Sequence, residues 1–171
     1  MASPFSTDDD AVLRQVERDV ATAFAGKPFD FAALLAVSNI FRVATAVRHH
    51  MERFVLKDHA LGWSAFVVLF VLRVWGPREP HELAVEAGVT PGTLTGVLST
   101  LERRGLAERR SHATDGRRLQ VRLTRAGRRA VDQIMPVFNQ HESQVTANLT
   151  DAERAQLSSM LRAILRTLDE D

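Results

Sequence analysis

Residues 80–105 read PHELAVEAGVTPGTLTGVLSTLERRG. Pro80–Ala87 has the composition of a short helix closed by Gly88. Thr90 is placed to cap a second helix, with Pro91 at the favoured first position. That helix is expected to run to about Arg104 and to stop at Gly105. A short helix, a tight turn and a second helix form a helix-turn-helix pattern. On the second helix Leu94, Val97, Leu98 and Leu101 cluster on one face, which must be buried. The opposite face carries Gly92, Gly96, Ser99 and Arg103, flanked by Thr93, Thr95 and Thr100. Side chains this small read either as a smooth solvent face or as a helix that slides into a major groove without obstruction.

Residues 107–123 read as two strands joined by the Asp115-Gly116 turn. Leu119, Val121 and Leu123 alternate with Gln120 and Arg122, so one side of the hairpin anchors it on the core. Arg117 and Arg118 stand at the narrow tip, where a DNA minor groove would attract them by its negative potential. A recognition helix followed by a basic hairpin is a winged helix. The charge distribution agrees. Residues 101–130 hold ten arginines, Arg110 among them, against Glu102, Glu108 and Asp115. Their net charge is +7, while the remainder of the chain carries −6. A basic stripe on an acidic body is the footprint of a polyanion-binding face, although a charged run can also be plain solvated surface.

Outward from this centre the chain reads as helices. Thr7 and the following aspartates open one that Gly26-Lys27-Pro28 stops. Asp30 caps the next, which runs to about Lys57 with an apolar stripe through Val37, Phe41, Ala44, Met51 and Val55. Arg48 falls on that stripe with Glu52 one turn on, placed for an internal pair, for a partner chain or for an anion pocket. Trp63–Val74 is an apolar helix ended by Gly76-Pro77. Thr124 caps a long helix that Pro136 should kink rather than end. Thr150 and Glu153 form a capping box before a final amphipathic helix through Leu157, Leu161, Ile164, Leu165 and Leu168.

Other chemistries find little support. The chain has no cysteine, which removes disulfides, thiolate metal sites and cysteine nucleophiles. His49, His50, His59, His81, His112 and His141 are scattered, with no His-x-x-x-His pair. His49 and His50 point about 100° apart on a helix and chelate one metal poorly. They read as surface or packing histidines, and no metal or cofactor is expected. No nucleophile–base arrangement or phosphate-cradling glycine loop points to an enzyme. The N-terminus lacks the pattern of a secretory signal. No uninterrupted apolar run approaches the ~20 residues of a membrane span. The expectation is a soluble, cytoplasmic protein without a membrane partner.

The chain resembles the MarR family of winged-helix regulators from about Phe31 to Leu168. The stretches that carry the resemblance are LGWSAFVVLFVL at 61–72, HELAVEAGVTPGTLTGVLSTLERRGLAERR at 81–110, DGRRLQVRLTRAG at 115–127 and LTDAERAQLSSMLRAIL at 149–165. The family's wing motif, Asp, a variable or basic residue, Arg, then a strand ending Leu-Thr-x-x-Gly, corresponds to Asp115, Gly116, Arg117 and Leu123 to Gly127. The resemblance implies a mainly α fold with a two-stranded β-wing. Residues 1–30 would be an N-terminal extension, 61–123 the winged helix-turn-helix core, and 31–57 and 124–169 dimerisation helices, within a domain 31–171. It implies a homodimer on a pseudo-palindromic operator of double-stranded DNA. Arg117, oriented by Asp115, would enter the minor groove, and the recognition helix the major groove. It also implies a cavity for a small aromatic ligand, for which Phe41, Thr45, Arg48, Trp63, Phe66 and Met135 are the matching residues.

Two positions depart from the pattern. Gly96 stands where family members often have a basic residue, and Gly116 follows Asp115 where a cation is common. The N-terminal extension is similar to that of the urate-responsive branch, but Ser64, Gly96 and the absence of tryptophan from the extension do not supply that branch's ligand groups. The expected function is a dimeric, sequence-specific transcriptional regulator, a repressor released by a small molecule. Thr90, Gly92, Thr93, Thr95, Gly96, Ser99, Thr100, Arg103, Arg110, Asp115, Arg117 and Arg118 are its expected DNA contacts. The glycine-rich recognition helix keeps open an architectural or weakly specific DNA-binding protein.

Overall fold

The turns expected to end helices at Gly26, Gly76, Gly88 and Gly105 each place that glycine at positive φ, and they set the architecture. A computed structural model describes residues 10–28, 30–111 and 119–169. The chain divides into two compact units, Met1–His49 and His50–Asp171.

The first unit holds α1 (Asp10–Ala23) and most of α2 (Phe31–Met51). Asp30 caps α2 as expected, its carboxylate accepting the Ala33 N–H at 3.0 Å. Helix continues beyond α2 as a π-helical turn, Glu52–Leu56, and a 3-10 turn, Lys57–His59. By length and composition alone the run Phe31–His59 could cross a membrane, with a mean hydropathy of 1.4 over its best window. A spanning helix would carry Arg42 inside the bilayer, at a cost of several kcal/mol. Phe41 and Val43 stand exposed at 69% and 60%.

The second unit contains α3 (Trp63–Trp75), α4 (Pro80–Glu86), α5 (Pro91–Arg103), β1 (Ala107–Ser111), β2 (Leu119–Leu123), α6 (Arg125–Val145) and α7 (Asp151–Asp169). The fold is mainly α with a two-stranded antiparallel sheet. Residues Ala107 to Ser111 pair with Leu123 to Leu119 in uninterrupted register. The core gathers Met51, Leu56, Leu69, Leu83, Leu98, Leu101, Val121, Val131 and Ile134, each at most 1% exposed. Helix α3 lies at its centre, packing on α4, α5, α6 and β2. Its apolar composition follows from that position, with Phe66, Val68, Leu69, Val71 and Leu72 all buried.

Pro136 lies within α6 and does not end it. The Thr150–Glu153 capping box forms. Glu153 accepts the Thr150 N–H at 2.8 Å, and Thr150 accepts the Glu153 N–H at 3.3 Å. The Thr150 N–H, and then its hydroxyl, hold the Glu153 carboxyl below the usual carboxylate range. Helix α4 has a second capping box, between Glu79 and Glu82, that the sequence pattern did not reveal. Helix α7 is amphipathic as expected, yet its apolar stripe is bare. Leu157, Leu161, Ile164, Leu165 and Leu168 are all exposed.

Candidate nucleic-acid interface

Helix α5 begins where expected. Thr90 Oγ1 accepts the Thr93 N–H at 3.2 Å, and Pro91 occupies the first turn. Leu94, Leu98 and Leu101 are buried, while Gly92, Thr93, Thr95, Gly96, Ser99 and Arg103 are exposed and Thr100 is half-buried. The exposed hydroxyls serve their own helix. Thr95 Oγ1 donates to the Pro91 carbonyl at 2.9 Å and Ser99 Oγ to the Thr95 carbonyl at 3.0 Å. Their lone pairs remain as acceptors. The face is smooth for no internal reason. A Cβ at Gly96 would meet nothing within 4 Å, and one at Gly92 only Thr90 Oγ1 at 3.9 Å. Gly96, inside the helix, nevertheless destabilises it by about 1 kcal/mol relative to alanine.

The basic stripe separates into two classes. Arg109 Nη1 pairs with Glu102 at 2.9 Å. Arg110 and Arg122 share Glu108, at 3.0 Å and 2.8 Å. Hydrogen bonds from Arg122, then Arg110, hold the Glu108 carboxyl below the usual carboxylate range. Arg104 donates to two backbone carbonyls. Arg103, Arg125, Arg128 and Arg129 form no ion pair among the described residues. The net charge was legible in the sequence. Which arginines pair with these glutamates was not.

The wing is fastened at its base. The Leu106 carbonyl accepts the Thr124 N–H at 3.1 Å. Thr124 Oγ1 donates to the Gly105 carbonyl at 2.6 Å and accepts the Gly127 N–H at 3.0 Å. At Gly127 an ideal Cβ would fall 1.9 Å from the Leu106 carbonyl oxygen. Only glycine fits there, which gives the Leu-Thr-x-x-Gly pattern its physical meaning. Arg78 extends the hairpin by a bridge to Val121. Arg78 N–H donates to the Val121 carbonyl at 3.1 Å, and Val121 N–H to the Arg78 carbonyl at 2.8 Å. The Arg78 guanidinium also binds Glu86 at 2.9 Å. Sequence reasoning missed this bridge, which has no local signature. Asp115, Gly116, Arg117 and Arg118 lie outside the described residues.

The expected ligand residues fall in both units. Phe41, Thr45 and Arg48 belong to the first, where Phe41 and Thr45 are exposed. In the second, Phe66 is buried and stacks on Phe138 at 4.6 Å, Trp63 lies 6.2 Å from Phe138, and Met135 is half-buried. A groove of about 540 Å³ lies elsewhere, lined in part by Arg73, Pro77, Arg122, Arg125 and Arg128. Glu52, a candidate partner for Arg48, accepts the Trp63 N–H at 2.9 Å and so holds the start of α3.

Two of the histidines that look scattered along the chain meet in space. His50 Nε2 and His141 Nδ1 lie 2.9 Å apart, with Phe54 against both rings. Burial, then the charge of His141, lowers the His50 pKa. Among the described residues no group of three or more potential ligands could hold a metal ion.

The profile of the MarR family matches residues 61–119. The uncharacterised HTH-type transcriptional regulator YwaE of Bacillus subtilis is 31% identical over 91% of this chain and 93% of its own length. The HTH-type transcriptional repressor YetL of the same organism is 29% identical over 81% of this chain and 84% of its own. Among solved structures, a mutant MarR from Escherichia coli complexed with operator DNA superposes with a TM-score of 0.69. It is 25% identical and aligns with 80% of this chain and 99% of its own.

Proposed function

Because the chain belongs to the MarR family of transcriptional regulators, we propose that it is a dimeric, sequence-specific DNA-binding repressor. The observation that carries this reading is the outward face of α5. It is smooth at Gly92 and Gly96, and the chain draws no packing benefit from that smoothness. Threonine and serine acceptors beside it suit base edges and thymine methyls, and the glycines permit close backbone approach. Arg103 lies at the end of the same face, and the wing arginines Arg117 and Arg118 would reach a minor groove.

The second copy is supported by helices α2 and α7, whose apolar side chains are exposed in the single chain. A second copy would bury such faces, and a symmetric partner is the simplest. Two-fold symmetry sets half-sites about one helical turn, roughly 10 bp, apart. A small aromatic ligand would act by favouring a lobe spacing that cannot engage both half-sites. Its seat would be sought first around Trp63, Phe66 and Met135 of the second unit.

The test is fluorescence anisotropy with DNA from upstream of the protein's own gene, against a random duplex of equal length at fixed near-physiological salt. Preference by about a thousandfold or more supports the specific regulator. Near-equal binding, followed by failure to enrich any sequence from a random pool, establishes the architectural alternative.

A further inference from the structure

Three helical segments of the second unit end in the same hydrogen-bonded turn. Leu61 N–H donates to the Leu56 carbonyl and Ala60 N–H to that of Lys57, at 3.1 and 3.0 Å. Val89 and Gly88 do the same to Ala84 and Val85, as do Leu106 and Gly105 to Leu101 and Glu102. The motif needs one residue at positive φ. Gly88 and Gly105 supply it at +63° and +66°, but the third is Ala60 at +50°. Ala60 is the one non-glycine residue so placed among the described residues. Its Cβ crowds the backbone in that conformation, so something must hold the turn.

Arg104 does. Its Nη1 donates to the Ala60 carbonyl at 2.7 Å and its Nη2 to the His59 carbonyl at 2.8 Å. Both carbonyls end a helical run and would otherwise rely on solvent for a donor. Arg104 is itself the C-terminal cap of α5. One guanidinium thus ties the end of the recognition helix to the end of the Glu52–His59 segment, with its charge at the negative poles of both.

We infer that Arg104 is a positioning residue for DNA docking and not a phosphate contact. This rests on the DNA-binding reading of α5 and deepens it. Leu94, Leu98 and Leu101 set how deep α5 sits, but apolar contacts are non-directional. The paired donors of Arg104 are directional and fix where the helix end lies. Engaging a phosphate would withdraw those donors and leave a strained alanine turn unsupported. Arg103, one residue earlier, has no ion pair among the described residues and stays free for phosphate.

The test compares the parent with Arg104→Met, Arg104→Lys and Arg103→Met. The probe is a duplex selected by the parent from a random pool, titrated across a salt series. Hydrogen exchange of residues 56–61 is read without DNA, and melting curves confirm that each variant is folded. Arg104→Met is expected to bind about tenfold more weakly with an unchanged salt slope. Exchange at 56–61 should rise. Arg104→Lys, with one ammonium for two carbonyls, should fall between. Arg103→Met should lower the slope by about 1 for each phosphate it no longer neutralises. A slope reduced in Arg104→Met as in Arg103→Met makes Arg104 a phosphate contact and overturns the inference. So do unchanged affinity and unchanged exchange. If the parent binds no duplex at all, the DNA reading itself fails. The exchange arm then still reports whether Arg104 braces the turn.

Discussion

At the scale of single residues, three glycines illustrate different reasons for the same choice. Gly105 supplies a positive φ, Gly127 makes room for a backbone carbonyl, and Gly96 does neither. Gly127→Ala is expected to destabilise the fold by about 3 kcal/mol, because the new Cβ meets the Leu106 carbonyl, which cannot swing away as a side chain would. Urea unfolding measures this, and a variant as stable as the parent would show that the wing base is looser than its geometry implies. Gly96→Ala should do the opposite and raise stability by up to about 1 kcal/mol. The same substitution should weaken DNA binding if the face enters a groove. Melting temperature and affinity must therefore move in opposite senses for the interface to be where it is placed.

Contacts between elements decide which charges remain available. Glu102 and Glu108 hold Arg109, Arg110 and Arg122 in ion pairs, so three of the ten arginines of residues 101–130 are tied within the chain. The His50–His141 contact joins the end of α2 to α6, and the lowered His50 pKa predicts a stability that depends on pH. A histidine whose folded pKa is lowered leaves the unfolded chain binding more protons near the ordinary value of 6.5. Its contribution is complete above that value and is lost as pH falls through it. Of the charged groups near in sequence, Glu52 holds the Trp63 N–H, Arg53 lies over the Phe54 ring, and Glu142 accepts from Asn139. Burial and His141, not these groups, set the direction at His50. The melting temperature should therefore drop between pH 7 and pH 5, and His141→Gln should reduce the drop by removing the repulsion. An equal drop in that variant would place the dependence elsewhere.

For the whole molecule the deciding feature is apolar surface that one chain leaves uncovered. Leu165 and Leu168 of α7 are exposed at 58% and 66%, and Phe41 of α2 at 69%. If α7 joins two copies as proposed, placing Glu at both Leu161 and Leu165 should yield a folded monomer with much weaker operator binding, since each copy then engages one half-site alone. Sedimentation equilibrium reads the first outcome and anisotropy the second. A variant that remains dimeric would remove α7 from the interface.

Much of the fold could be read from local chemistry. Caps at Asp30, Thr90, Thr124 and Thr150, stops at Gly26, Gly76, Gly88 and Gly105, and the alternation through Val121 all act within a few residues of themselves. They therefore write their signals into the sequence directly. The smooth face of α5 belongs to the same class, because periodicity alone separates it from the buried leucines. The Arg104 brace across 44 residues, the Arg78–Val121 bridge, the His50–His141 contact and the pairing of Arg109, Arg110 and Arg122 with Glu102 and Glu108 were decided only by tertiary structure. Each joins groups distant in the chain, and a side chain's sequence position says nothing about which distant partner the packed core will bring within hydrogen-bonding reach.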